Sequence, residues 1–139
     1  MSAEQNLRIV QDMYAAFGRG DVGFVLGQIA DDCDDFCVIS ATDTGVPWHL
    51  QGKNRGKAAA ARYFEALAAT VDHELFEPRD FAATGEHVYA TVRMRMRVRA
   101  TGKAIELPEV MHHFTLRGGR VVRCRATEDT AQTRAAFTS

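Results

Sequence analysis

Residues 87–101, HVYATVRMRMRVRAT, constrain the fold more than any other stretch of the chain. Val92, Met94, Met96 and Val98 alternate there with Arg93, Arg95, Arg97 and Arg99, which is the period of a β-strand whose successive side chains point to opposite faces. Burying four unpaired guanidinium groups is prohibitive, so the methionine face turns inward and the arginine face outward. A strand with one dry and one wet face belongs to a sheet covered on one side.

The same alternation runs through DFAAT at 80–84, IELPEVMHHFTLR at 105–117 and RVVRCRATED at 120–129. The connections GE, TGK and GG are short glycine-containing hairpin turns. Parity then separates the two adjacent histidines. Phe114 and Leu116 are apolar while Thr115 and Arg117 are polar, so the even positions face in, His112 with them, and His113 lies outside. On the last strand Val122, Cys124 and Ala126 oppose Arg123 and Arg125, and the inward line reaches Glu128 near one end. Pro108 marks a candidate bulge, so this parity is not extended upstream of Val110.

Helical spacing dominates the first half. LRIVQDMYAAF at 7–17 puts Leu7, Val10, Tyr14 and Phe17 on one helix face, and Gly18 and Gly20 stop it. Asp21 caps a second short helix with Val22, Val25, Leu26 and Ile29 on one side. KAAAARYFEALAA predicts a third, with Tyr63, Phe64 and Leu67 as its contact positions, and TAQTRAAF a last turn or two. Residues 40–56 read as a loop with a short strand around Trp48, and DDCDDF as an acidic loop or strand entry. At 139 residues the chain suits one domain, 1–139. Helices followed by a meander give an α+β architecture, with helices on one face of a curved antiparallel sheet that encloses a cone-shaped pocket.

That pocket is mostly apolar. Its predicted wall comprises Phe17, Trp48 and Phe64 from the helical half, and Val92, Met94, Met96, Phe114, Cys124 and Ala126 from the strands. His112 lies midway, either as a core histidine hydrogen-bonded to a helix residue such as Tyr14 or as a group that meets a ligand. Glu128 reads most simply as sitting at the solvated rim.

Several function classes find no support. A net charge of −1 gives no general attraction for nucleic acid or an acidic membrane, and no apolar run approaches the roughly 20 residues of a bilayer span. The opening MSAEQNLRIV lacks the features of a signal peptide, so a cytoplasmic location is expected. Cys33, Cys37 and Cys124 lack paired spacings and are expected as free thiols. The five histidines show no metal-site spacing and no phosphate-cradling glycine loop occurs, so no metal or cofactor is expected. The arginine face is either an anion site or a solvated or dimer-facing surface neutralised by acids such as Glu109 and by a second chain.

YAAFGRGD, QGKNRGKAAAARYFEAL, FEPRDFAATG, VRATGK, HHFTLRGGRVVRCR and EDTAQ resemble, in order and spacing, SnoaL-like proteins of the nuclear transport factor 2-like superfamily, which includes polyketide cyclases and ketosteroid isomerases. The resemblance spans roughly residues 5–137 and implies a cystatin-like cone, usually a homodimer paired through its sheet, with a hydrophobic small molecule inside it. It places His112 where ketosteroid isomerases carry an aspartic acid that donates to the substrate oxygen. Their general base falls near Cys37, their tyrosine donor near Met13 beside Tyr14, and a carboxylate common on the relatives' last strand is Ala126 here. The epoxide-hydrolase pattern is not met, since Val92, Met94 and Ala126 stand at its charged positions.

The resulting expectation is cofactor-free proton transfer next to a carbonyl on a hydrophobic cyclic compound. His112 would polarise the carbonyl or shuttle the proton, Tyr14 would be a second donor or a packing residue, and Asp35 or Glu128 would be the carboxylate of last resort. The alternative is a non-catalytic ligand-binding or dimeric assembly domain.

Overall fold

The structure, a computed structural model, describes residues 2–39, 44–48 and 55–138. Its elements are α1 (Ala3–Gly18), α2 (Val22–Gly27), β1 (Asp35–Val38), α3 (Gly56–Thr70), β2 (Val71–Thr84), β3 (His87–Val98), β4 (Ala104–Arg117), β5 (Arg120–Thr127) and α4 (Thr130–Ala136). No helix is long and apolar enough to cross a membrane among the described residues.

The helices begin where side chains satisfy the free backbone N–H groups of a first turn. Ser2 and Gln5 form a reciprocal capping box on α1, the Gln5 N–H donating to Ser2 Oγ at 3.1 Å and the Ser2 N–H to Gln5 Oε1 at 2.8 Å. Asp21 accepts from the Phe24 N–H at 3.0 Å to start α2, as its position predicts. That helix stops at Gly27, two residues short of Ile29. Ile29 is buried instead through a parallel bridge to Val121.

The strands form one sheet in the order β1-β5-β4-β3-β2. β2 to β5 are the antiparallel meander, and Gly118 and Gly119 make its last turn with φ of 58° and 77°. Two consecutive left-handed residues give the hairpin turn whose twist matches its strands, and glycine adopts that conformation without steric penalty. β1 adds a parallel edge strand beside β5, so DDCDDF does lead into a strand. Pro47–Trp48 forms a turn, and residues 40–43 and 49–54, which include His49 and the far side of the short strand expected around Trp48, lie outside the described residues.

Parity on β3 holds throughout: Val88, Ala90, Val92, Met94, Met96 and Val98 are all buried. The bulge at Pro108 is present, since Val92 pairs with Val110 but Met94 with Leu107, and Leu107 and Ile105 take over the buried face upstream. Two expectations are corrected by the same device. On β5 a register shift hands the buried position to Val121 and leaves Val122 half-exposed. β2 also starts at Val71 rather than near Asp80, because shifts between His73 and Leu75 and between Pro78 and Asp80 interrupt the alternation that would have revealed it.

The arginine face is neutralised within the chain. Arg95 Nε donates to Glu74 at 2.8 Å and its guanidinium also pairs with Glu106. Arg97 Nε reaches Glu74 at 3.0 Å, and Arg99 Nε reaches Asp72 at 3.1 Å. The countercharges of these three arginines come from β2 and β4 rather than from Glu109. Such half-exposed pairs contribute little individually. Glu74→Ala is expected to lower the thermal midpoint only slightly, and the difference should vanish in about 1 M salt, where screening acts over ~3 Å. Melts at low and high salt check this.

Candidate functional site

Between the helices and the concave face of the sheet lies a cavity of about 720 Å³, its mouth included. Of the residues expected on its wall, Phe17, Trp48 and Phe64 are there from the helical half, as are Met94, Met96, Phe114, Cys124 and Ala126 from the strands. Val92 is not. Its side chain is completely covered by packing and belongs to the core, while the longer Met94 and Met96 side chains reach the space beyond it. Asp35 is not on the wall either: β1 turns its carboxylate toward Arg125, 3.6 Å away.

The wall also includes residues that alternation did not predict. Phe36 and Cys37 are consecutive, yet both are buried and both face the cavity. The reason is local: Cys37 takes φ of 54°, a left-handed conformation unfavourable for a side chain, and the β1–β5 register shifts at that point. His73 and Phe76 join through the first bulge of β2, where they sit across from Met96 and Met94. Tyr63 and Leu67, legible on the contact face of α3, line the cavity as well.

The polar centre is the pair expected from parity. Tyr14 Oη lies 2.5 Å from His112 Nδ1, with the two rings nearly parallel at 12°. Burial pushes the His112 pKa down to about 4. Burial also raises the Tyr14 hydroxyl, with Cys124 and Cys37 adding to the effect. Both groups are therefore neutral at pH 7 and share one hydrogen bond. If the hydroxyl donates to Nδ1, the ring N–H at Nε2 is left over; if Nδ1–H donates to Oη, the hydroxyl proton is left over. Either tautomer keeps one donor for a ligand. Outside the sheet, His113 meets His87 at 2.9 Å and stacks on Tyr89 at 4.5 Å.

Glu128 is half-buried on the cavity wall, where Thr133 Oγ1 donates to its Oε2 at 2.8 Å. Burial raises its pKa, partly offset by the Thr133 bond and reinforced by Asp129. Among the described lining residues there is no lysine or arginine, so nothing in the cavity compensates a ligand's negative charge. The described residues contain no group of three or more His, Cys, Asp or Glu side chains that could hold a metal ion.

A family model for the SnoaL-like domain matches residues 10–124 of the chain. The chain belongs to the SnoaL-like family. Among curated proteins none matches the sequence. A nuclear transport factor 2-like protein from Burkholderia xenovorans LB400 is 29% identical, with a TM-score of 0.81 and 99% of each chain covered. TerC, co-crystallised with polyporic acid, is 20% identical with a TM-score of 0.79, over 97% of this chain and 99% of its own. A Xanthomonas campestris pv. campestris protein assigned as a polyketide cyclase is 20% identical with a TM-score of 0.76, over 98% of both chains. These last two likenesses show the SnoaL-like cone alone.

Proposed function

We propose that the chain, as one SnoaL-like domain over residues 1–139, binds an uncharged, hydrophobic, cyclic carbonyl compound and moves a proton next to that carbonyl, as an isomerase or cyclase does, without a cofactor. The observation that carries this reading is the Tyr14–His112 pair, neutral on both sides and keeping a donor in either tautomer inside an apolar cavity. A donor fixed in a site of low polarity stabilises a developing oxyanion far better than it would in water. Glu128, with its raised pKa, is the carboxylate placed to exchange a proton with the neighbouring carbon. TerC, a SnoaL-like relative in fold, was crystallised with polyporic acid, which supports a small organic ligand inside the cone. Pairing through the outer sheet face, where Tyr89 and Met111 are exposed, belongs to the same proposal.

The test is exchange of the α-hydrogens of 2-tetralone into heavy water, followed by proton NMR. His112→Ala should slow protein-dependent exchange by about 100-fold, the typical effect of losing one oxyanion donor. Glu128→Gln should slow it by at least as much. Exchange lost in Glu128→Gln but retained in His112→Ala would overturn the assignment of roles. The non-catalytic reading predicts that the ketone binds but never exchanges faster than in buffer.

A further inference from the structure

His73 is a polar group on the cavity wall with no part in the proposed reaction. Its neighbours on β2, Asp72 and Glu74, pair with arginines on the outer face of the sheet, so by strand alternation His73 points inward. Its ring stands nearly perpendicular to those of Phe17 and Phe76, at centroid distances of 5.4 Å and 6.2 Å. No described residue hydrogen-bonds to the His73 ring, and neither of its nitrogens is sealed off from open space. Buried polar groups in folded proteins are almost always paired. A half-buried imidazole with both nitrogens unpaired in an apolar cavity therefore calls for a partner from outside the chain. Burial lowers its pKa, with Asp72 offsetting part of the effect, so at pH 7 the ring is neutral and offers one N–H donor and one lone pair.

The sheet order separates this group from the reacting end of the ligand. β4, with His112, lies between β5, which leads into Glu128, and β2, which carries His73. One side chain spans the distance from the oxygen-binding pair: the Phe76 ring lies 6.0 Å from that of Tyr14 and 6.2 Å from that of His73. A flat ligand with its carbonyl on Tyr14–His112 and its reacting carbon toward Glu128 extends over Phe76 to His73. We propose that the far end of the preferred ligand carries a hydroxyl that pairs with His73, which makes His73 a specificity-determining residue. A hydroxyl both donates and accepts, as the neutral imidazole does. The inference rests on the reading of the cavity as the site of a cyclic carbonyl compound and goes further by naming that compound's second polar function.

Isothermal titration calorimetry with 2-tetralone and the four 2-tetralones that carry one hydroxyl on the aromatic ring tests it. The best of the hydroxylated ketones should bind about tenfold more tightly than the parent, the worth of one good hydrogen bond in a pocket. His73→Phe keeps a flat ring but removes both nitrogens, so it should leave the parent's affinity nearly unchanged and bring the preference for the hydroxyl toward one. His73→Leu repeats the comparison without an aromatic ring and should also abolish the preference. A wild-type preference near one for every isomer, or a tenfold preference that survives both substitutions, would overturn this proposal while the ligand site stands. Failure of all five ketones to bind the wild type would overturn the reading of the cavity itself, and this proposal with it.

Discussion

Replacing Trp48 with alanine is expected to lower the unfolding free energy by about 3–5 kcal/mol, the usual cost of truncating a buried aromatic side chain. Trp48 is among the largest side chains with almost no exposure, and its ring packs on Phe137 at 5.5 Å. It also faces the cavity, so truncation joins a new void to an existing one rather than leaving a space that neighbours can close. A domain's whole stability is about 5–15 kcal/mol, so the loss should be plain in urea denaturation. Phe24→Ala is the control, because Phe24 is 37% exposed and its truncation opens no buried void. A Trp48→Ala midpoint no lower than that of the control would contradict the packing of this segment against α4.

Acid is the second large lever. Well above pH 6.5 His112 is neutral in both the folded and unfolded chain and contributes no pH dependence. As pH falls from 6.5 toward 4, the unfolded chain takes up a proton that the folded one refuses, so stability decreases; below about 4 both are protonated and the effect levels off. The shift from 6.5 to about 4 corresponds to about 3 kcal/mol. His73, also lowered by burial, acts in the same direction, with Asp72 offsetting part of it. Glu128 acts oppositely, since its raised pKa means that the folded chain binds its proton first. The isolating experiment compares urea denaturation of wild type and His112→Gln at several pH values. The stability difference between them should change by about 3 kcal/mol, in favour of the variant, on going from pH 6.5 to 4. Parallel curves would mean that His112 is solvated and would remove the neutral pair from the mechanism.

Much of the site was readable because β-strand parity is a local property. The arginines of β3 declare which side is wet, and Phe114 with Leu116 extends the same logic to His112. Burial of Met94, Met96, Cys124 and Ala126 follows from that alternation, and all four reach the cavity. Where the chain breaks alternation, the reasoning fails in a physically definite way. Bulges in β2 hid its first half and therefore His73 and Phe76, and the left-handed turn at Cys37 put two consecutive residues on one face. Val92 failed for a different reason: facing inward does not distinguish a packed core from an open wall.

Local pattern thus sufficed for the α+β architecture, the meander and the inward orientation of His112, because helix and strand periods are written into neighbouring residues. Contacts between residues far apart in the chain decided everything that needs a distance. Tyr14 meets His112 across 98 positions, Asp35 finds Arg125 instead of the cavity, and the arginines find their acids on β2 and β4. Glu128 is held on the cavity wall by α4, whose Thr133 Oγ1 donates to its carboxylate. A sequence fixes which face a side chain shows, but its pKa and its partner depend on what the rest of the fold brings against that face.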